Sequence, residues 1–164
     1  MNLNNYTIKS QEAIQKAAEV AGGNQQQAIE PGHLLKAVLQ TDENMISFVL
    51  NKLSINRAQL DNDVDIIIQS YPKVSGQQPY LSNDSAAALR KAESYLKEFQ
   101  DEFIAIEHIL LGLLSSKEKV ASLMKQAGFS EKALKAAIQE LRGGDRVTAP
   151  NAEAKYKSLE RYSK

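Results

Sequence analysis

Residues 29–39 read IEPGHLLKAVL, and residues 104–114 read IAIEHILLGLL. Both stretches place apolar side chains at helical spacing, and their histidines, His33 and His108, lie 75 positions apart. Further pairs at separations of 75 or 74 are Thr7 and Ser82, Ile14 and Leu89, Ala17 and Ala92, Asn56 and Ser130, Leu60 and Leu134, and Val64 and Ile138. Because helix-start residues and apolar stripes recur together, the sequence predicts an internal repeat.

Each copy of the repeat is predicted to hold four helices. Thr7 and Asn56 in the first copy, and Ser82 and Ser130 in the second, are residue types that cap helix N-termini. No strand is predicted. The stretch 71–81, which contains two prolines and a glycine, is predicted to be a loop.

The predicted fold class is therefore all-α, with two tandem four-helix repeats in one domain over residues 1–144. The first repeat is expected at about residues 1–75 and the second at about 76–144. A unit of this kind has an apolar face that it cannot cover alone, so the two are expected to pack with pseudo-twofold symmetry. The seam between them is the expected place for a groove.

Composition excludes several function classes. The chain has 164 residues, 20 basic and 20 acidic side chains and no cysteine. A net charge of zero provides no general field for nucleic acid or anionic membrane, and disulfides and thiolate metal sites are excluded. No apolar run approaches the roughly 18–20 residues that cross a bilayer. We therefore expect a cytoplasmic protein.

The sequence changes character after residue 144. Residues 145–151 lack an apolar stripe, and residues 152–164 are polar with a thin apolar edge at helical spacing. This pattern favours a linker followed by a helix whose packing partner is absent, so the chain is expected to be a fragment of a longer protein.

Two segments carry a family resemblance. Ile29 to Leu35 and Ile106 to Leu113, together with the ending Leu141-Arg142-Gly143-Gly144, resemble the N-terminal domain of Clp ATPases. The Glu-Pro-x-His-Leu form of the first segment is similar to that of the ClpB family of protein disaggregases. The resemblance covers residues 1–144 as the domain and 145–164 as the linker toward a first ATPase module.

The resemblance implies a function for the whole protein and for this part of it. The family is a set of ATP-driven homohexameric chaperones that thread aggregated polypeptide through a pore and work with the DnaK system. The N-terminal domain engages unfolded or aggregated clients, needs no cofactor of its own, and is expected to be a monomer when isolated. ATP and magnesium would belong to the full-length protein.

The resemblance also implies site residues. Thr7, Asp101 and Glu107 match family positions linked to the handling of aggregates. A peptide groove needs apolar surface with a few polar groups, and the two carboxylates would attract basic residues of a client. Tyr95 and Phe103 are the nearest large apolar candidates. Thr7, Glu107 and the aromatic residues have structural alternatives: a cap for Thr7, a helix-dipole partner for Glu107 and core packing for the aromatic residues. Asp101 is expected to lie in a loop and to have no structural task.

The sequence gives less support to metal binding and to catalysis. His33 and His108 lack further metal ligands at matching spacing and are predicted to be buried core histidines, so no metal is expected. No phosphate-binding loop or nucleophile elbow is present, and no enzyme activity is expected of this chain. An acid–base pair formed by Asp101 and Glu107 is a minor alternative.

Two binding alternatives stay open. One is a ClpC-type domain that receives adaptors or phosphoarginine-tagged clients, because Glu107-His108 is closer to the ClpC form. In the first repeat, however, Pro31-Gly32 occupies the equivalent place. The other is a helical scaffold that docks a single folded partner.

Overall fold

Eight helices and two very short strands form the described part of the chain, residues 2–74 and 78–153 of a computed structural model. In chain order they are α1 (Ile8–Gly23), β1 (Ala28–Ile29), α2 (Pro31–Thr41), α3 (Glu43–Lys52), α4 (Arg57–Ser70), β2 (Tyr80–Leu81), α5 (Asn83–Phe99), α6 (Ile106–Leu114), α7 (Lys119–Ala127) and α8 (Glu131–Arg142). The all-α prediction and its four helices per copy are confirmed.

Side-chain caps begin the helices where the sequence predicted them. The Thr7 hydroxyl accepts the backbone N–H three residues ahead at 3.1 Å. Asn56, Ser82 and Ser130 do the same for α4, α5 and α8. Each such cap stabilises its helix by about 1 kcal/mol.

The centre of the molecule is formed by α2 and α6, which contact each other. All nine residues of α6 are buried, and so are eight residues of α2. Helix α1 packs on α2, and α5 packs on α6. The approach of α5 to α6 is close enough to require glycine: a Cβ on Gly112 would lie 2.3 Å from the backbone oxygen of Ala88. The two copies thus share one core.

The prediction that the chain has no strand is wrong for one short parallel pair, whose second strand lies in the stretch 71–81 that was predicted to be a loop, and a single isolated bridge accompanies that pair. Residues Ala28–Ile29 pair in parallel with Tyr80–Leu81, and Tyr6 forms an isolated parallel bridge with Ile104. Each pairing joins the segment that precedes the first helix of one copy to the segment that precedes the second helix of the other copy. These short exchanges of backbone hydrogen bonds follow the pseudo-twofold relation.

Residues 145–153, which we call the strap, turn back after α8 and cover the starts of α1 and α6. The Glu102 N–H donates to Val147 O at 2.7 Å, and the Ile8 N–H donates to Pro150 O at 2.9 Å. Val147 and Ala152 are buried. The part of the predicted C-terminal helix from residue 154 onward lies outside the described residues, and the boundary at 144 stays a prediction.

Candidate functional site: a covered ionic cluster

Charged side chains are buried where α6 begins, beneath the strap. Thr7 lies beside them at the start of α1. We call this group the ionic cluster; its members are Thr7, Asp101, Glu107, His108, Arg142 and Glu153. All six are buried, although only Thr7 and His108 belong to residue types that are often found inside proteins without an ionic partner.

Arg142, in the last turn of α8, holds the two carboxylates that the sequence singled out. Its Nη1 donates to both Asp101 oxygens at 3.1 and 2.9 Å, and its Nε donates to Glu107 Oε2 at 3.0 Å. Both carboxylate side chains are fully inaccessible to solvent, and the guanidinium is nearly so. Charge-assisted bonds of this geometry offset the large cost of removing the ions from water.

Asp101 accepts two further hydrogen bonds. His108 Nδ1 accepts the Ala105 N–H at 2.7 Å, so the imidazole carries its proton on Nε2 and donates it to Asp101 Oδ2 at 2.7 Å. The strap adds the Val147 N–H at 2.8 Å. Burial alone would raise the pKa of Asp101, but these two bonds and the Arg142 charge outweigh it and lower that pKa.

Glu153 is the strap's contribution to the cluster. Its Oε2 accepts the Thr7 hydroxyl at 2.7 Å and the Ile106 N–H at 3.3 Å, one of the free N–H groups at the start of α6. Burial, followed by repulsion from Glu107, raises the pKa of Glu153 to about 7. Among the described residues, Glu107 Oε1 and Glu153 Oε1 are buried without a hydrogen-bond donor.

The first copy of the repeat builds the equivalent place without ions. His33 Nδ1 accepts the Glu30 N–H at 2.9 Å, and its Nε2 lies 2.7 Å from Gln26 Oε1. Gln26 stands 75 positions before Asp101 and plays the same part for its histidine. Burial lowers the pKa of His33 to about 4. The prediction that both histidines are core residues is confirmed.

The charge difference between the copies lies at two further positions. Ile68 stands 74 positions before Arg142, and Gly32 stands 75 positions before Glu107. The Gly32 N–H donates to the Tyr71 hydroxyl at 3.1 Å, whereas in the second copy the Ile106 N–H, one position earlier in the repeat, donates to the Glu153 carboxylate. The second copy therefore has an aspartate, a glutamate and an arginine where the first copy has a glutamine, a glycine and an isoleucine.

The structure brings three of the five predicted site residues together. Thr7, Asp101 and Glu107 meet in the ionic cluster, but none is exposed, because Arg142 and the strap cover them. The expectation that Asp101 has no structural task is wrong: it binds an arginine, a histidine and the strap backbone.

The two predicted aromatic residues lie in different surroundings. Tyr95 is buried, and its hydroxyl bonds Ser115 at 2.6 Å and Glu131 at 3.0 Å. Phe103 is half-buried against the core, between Glu102, which bonds the strap, and Ile104. Phe103 is the more exposed of the two and stands two positions after Asp101 in the chain.

Among the clefts at the seam in residues 2–74 and 78–153 are two shallow ones that the pseudo-twofold relation makes equivalent. One, of about 400 Å³, lies between α4 and α7 and exposes Ile66. The other, of about 370 Å³, lies between α3 and α8, the pseudo-twofold equivalents, and is floored by small residues such as Ala133 and Ala137. None of the five predicted residues lines either cleft.

Sequence reasoning missed Arg142, Val147 and Glu153. A signal existed for Arg142, since it replaces the apolar Ile68 of the first copy at the last position of the stripe. The strap residues carried no periodic signal, because an irregular segment with turns buries side chains at irregular positions.

Two negative observations bear on other site types. No helix of residues 2–74 and 78–153 is long and apolar enough to cross a membrane. In the same ranges, no three histidine or acidic side chains are grouped so that they could hold a metal ion.

The fold and the repeat define the class of protein. The model of the Clp repeat N-terminal domain matches residues 5–127, so the chain belongs to that family. The family resemblance seen in the sequence is confirmed.

Individual relatives are more specific. The chain is 50% identical over 163 residues to the chaperone protein ClpB of Bacteroides thetaiotaomicron, which is 99% of this chain and 19% of that protein. It thus spans about a fifth of this curated relative.

Solved structures show the same fold. The Hsp104 N-terminal domain of Candida albicans matches with a TM-score of 0.79 at 23% identity, over 91% of this chain and 99% of that one. A complex of a ClpV N-domain with a VipB peptide matches with a TM-score of 0.68 at 18% identity, over 90% and 96% of the two chains.

Proposed function

We propose that this domain binds exposed segments of unfolded or aggregated polypeptide and passes them to the ATPase ring of a ClpB-type disaggregase. The observation that carries the proposal is the 50% identity to a ClpB chaperone along nearly the whole chain. The fold supports it, because a ClpV N-domain of similar structure is known in complex with a peptide.

We propose the ionic cluster as the client site. Thr7 and the start of α6 offer a hydroxyl and backbone N–H groups, and Asp101 and Glu107 offer carboxylates. Phe103 supplies an apolar contact at the edge. We propose Tyr95 as a second apolar contact for the client. With the strap closed, the polar groups face the protein interior, so client binding here requires the strap to move.

The remaining roles belong to the full-length protein. We propose that it is a cytoplasmic homohexamer that uses ATP and magnesium in modules beyond this chain and works with the DnaK system. The chain itself is expected to bind clients without hydrolysing ATP. ATP turnover at the level of a buffer blank is the expected result, and robust turnover by residues 1–164 would contradict this division of labour.

The binding proposal is tested by fluorescence anisotropy of a labelled, permanently unfolded client. Reduced carboxymethylated α-lactalbumin is the probe, and native α-lactalbumin is the control. We expect saturable binding of the unfolded form and none of the native form. Equal binding of both forms, or none of either, would contradict the proposal.

A matched pair of variants locates the site. Phe103→Ala removes the aromatic ring beside the ionic cluster, and Phe48→Ala removes one from α3 that is also partly buried against the core. Phe103→Ala is expected to weaken client binding at least about threefold, which corresponds to the roughly 0.6 kcal/mol of a partly exposed contact. Phe48→Ala is expected to leave affinity unchanged.

A second candidate is the ClpC-type capture of phosphoarginine. The observation in its favour is a glutamate in the first turn of α6 close to Glu153, which accepts the Thr7 hydroxyl. Against it, Arg142 already occupies Glu107, and Gly32 stands at the equivalent place in the first copy. Titration with free phosphoarginine separates the two: stoichiometric uptake favours the ClpC-type function, and no uptake favours the disaggregase.

A further inference from the structure

The strap occupies the client site that we propose, as a turned segment of polypeptide. Its Val147 and Pro150 carbonyls accept the Glu102 and Ile8 N–H groups, its Val147 side chain is buried, and its Glu153 side chain lies at the start of α6. Main-chain N–H groups, an apolar site and a polar anchor are also what a client segment would use.

The strap is also an imperfect occupant of that site. Glu153 enters a buried place that already holds Glu107, and one oxygen of each carboxylate lacks a donor within the described residues. A buried carboxylate oxygen without a donor costs roughly what a lost hydrogen bond to a charged group would give. The closed state is therefore stabilised by the backbone hydrogen bonds of the strap and destabilised by the burial of the Glu153 carboxylate beside Glu107.

We propose that the strap is an intramolecular occupant of the client site: residues 145–153 close the surface formed by Thr7, Glu102 and the start of α6, and their release opens it to an extended client segment. The identity of the displacing partner rests on the proposed function. The closure and its release rest on the strap contacts alone.

The charged groups that face Glu153 set how the closure depends on pH. Glu107 and Asp101 repel its anion, Arg142 is neutralised between those two carboxylates, and His108 presents its proton to Asp101. Closure raises the pKa of Glu153 to about 7, so the closed state favours the protonated form. Because the raised pKa belongs to the closed state, this contribution to closure is complete at low pH and is lost as pH rises through 7.

Hydrogen exchange of the intact chain tests the closure without a client. Three amides bond across the contact of the strap with the rest of the domain, those of Val147, Glu102 and Ile8, and we call them the strap amides. The Leu60 amide of α4 reports on global unfolding. We expect the strap amides to exchange faster than Leu60 after correction for intrinsic rates. Between about pH 5.5 and pH 7.5, strap protection should fall about twentyfold, as linkage predicts for a pKa that moves from an ordinary glutamate value to about 7.

Two variants sharpen the test. Glu153→Gln keeps an oxygen for the Thr7 hydroxyl and the Ile106 N–H but carries no charge, so it should abolish the pH dependence and raise strap protection by roughly two hundredfold at about pH 7.5 and by roughly tenfold at about pH 5.5. Glu153→Ala removes both bonds and should lower strap protection at every pH. Strap amides that exchange only with Leu60, or a Glu153→Gln variant that exchanges faster than the natural chain, would overturn the proposal.

The client arm is separate. Saturating carboxymethylated α-lactalbumin should speed exchange of the Val147 amide, and Glu153→Gln should weaken client binding by the factor that it adds to closure. If the client binds and neither effect occurs, the strap proposal fails while the proposed function stands. If no client binds but the strap opens locally with the expected pH dependence, the proposed function fails and the closure stands.

Discussion

Replacing Arg142 by methionine tests whether the ionic cluster is a structural unit. The guanidinium donates three hydrogen bonds to Asp101 and Glu107, and both carboxylates are fully inaccessible to solvent. Arg142→Met leaves both charges buried without their cation. Breaking a buried ion pair from one side costs about 3–5 kcal/mol.

The assay is urea unfolding followed by far-ultraviolet circular dichroism, since the chain has no tryptophan. Thermal unfolding followed by the same signal gives a second readout: in a domain of this size, a loss of about 3–5 kcal/mol lowers the melting temperature by roughly 10 °C. Arg57→Met is the matched control: Arg57 pairs with Glu43 and Asp61 at the surface, where such pairs contribute about 0–1 kcal/mol.

A second substitution separates charge from shape. Adding Asp101→Asn to Arg142→Met removes one of the uncompensated charges, so the double variant should recover at least about 1 kcal/mol of the loss. The ionic cluster is not a structural unit if Arg142→Met costs no more than Arg57→Met, or if the two substitutions in the cluster are additive.

Three other perturbations follow from the structure. Thr7→Val removes a helix cap and a bond to the strap, so it should lower the free energy of unfolding by about 1–3 kcal/mol in urea titrations; no change would contradict the cap. Gly112→Ala should cost about 2 kcal/mol or more because its Cβ would meet the α5 backbone, whereas Gly22→Ala, with open space around it, should be neutral or stabilising. Burial lowers the pKa of His33 to about 4, so the stability that its neutral form contributes is complete above about pH 6.5. The free energy of unfolding in urea should therefore fall by about 3 kcal/mol as pH drops to 4. The His33→Gln variant is the comparison and should show a flatter dependence on pH.

Much of the fold could be predicted from the sequence, because each signal in one copy of the repeat could be compared with its equivalent in the other copy. Thr7 and Ser82, or Leu60 and Leu134, were each weak signals alone, and their constant spacing made them strong. The short strands were missed, since two residues are too few for an alternating pattern to develop.

The candidate site was accessible only in part. Thr7, Asp101 and Glu107 could be named because they sit at recognisable helix starts, and the structure places them side by side. Their burial could not be predicted, because it depends on Arg142 from α8 and on Glu153 from the strap, which lie 35 or more positions from Glu107 in the chain. Charge pairing across such distances has no local sequence pattern.

The central claim is that clients bind where the strap lies. The most direct measurement is a nuclear magnetic resonance titration of the labelled chain with carboxymethylated α-lactalbumin, following backbone amide shifts. The account predicts the largest changes at Ile8, Glu102, Ile106 and Val147. Changes confined to the clefts between α4 and α7 or between α3 and α8, with these four amides unmoved, would contradict it.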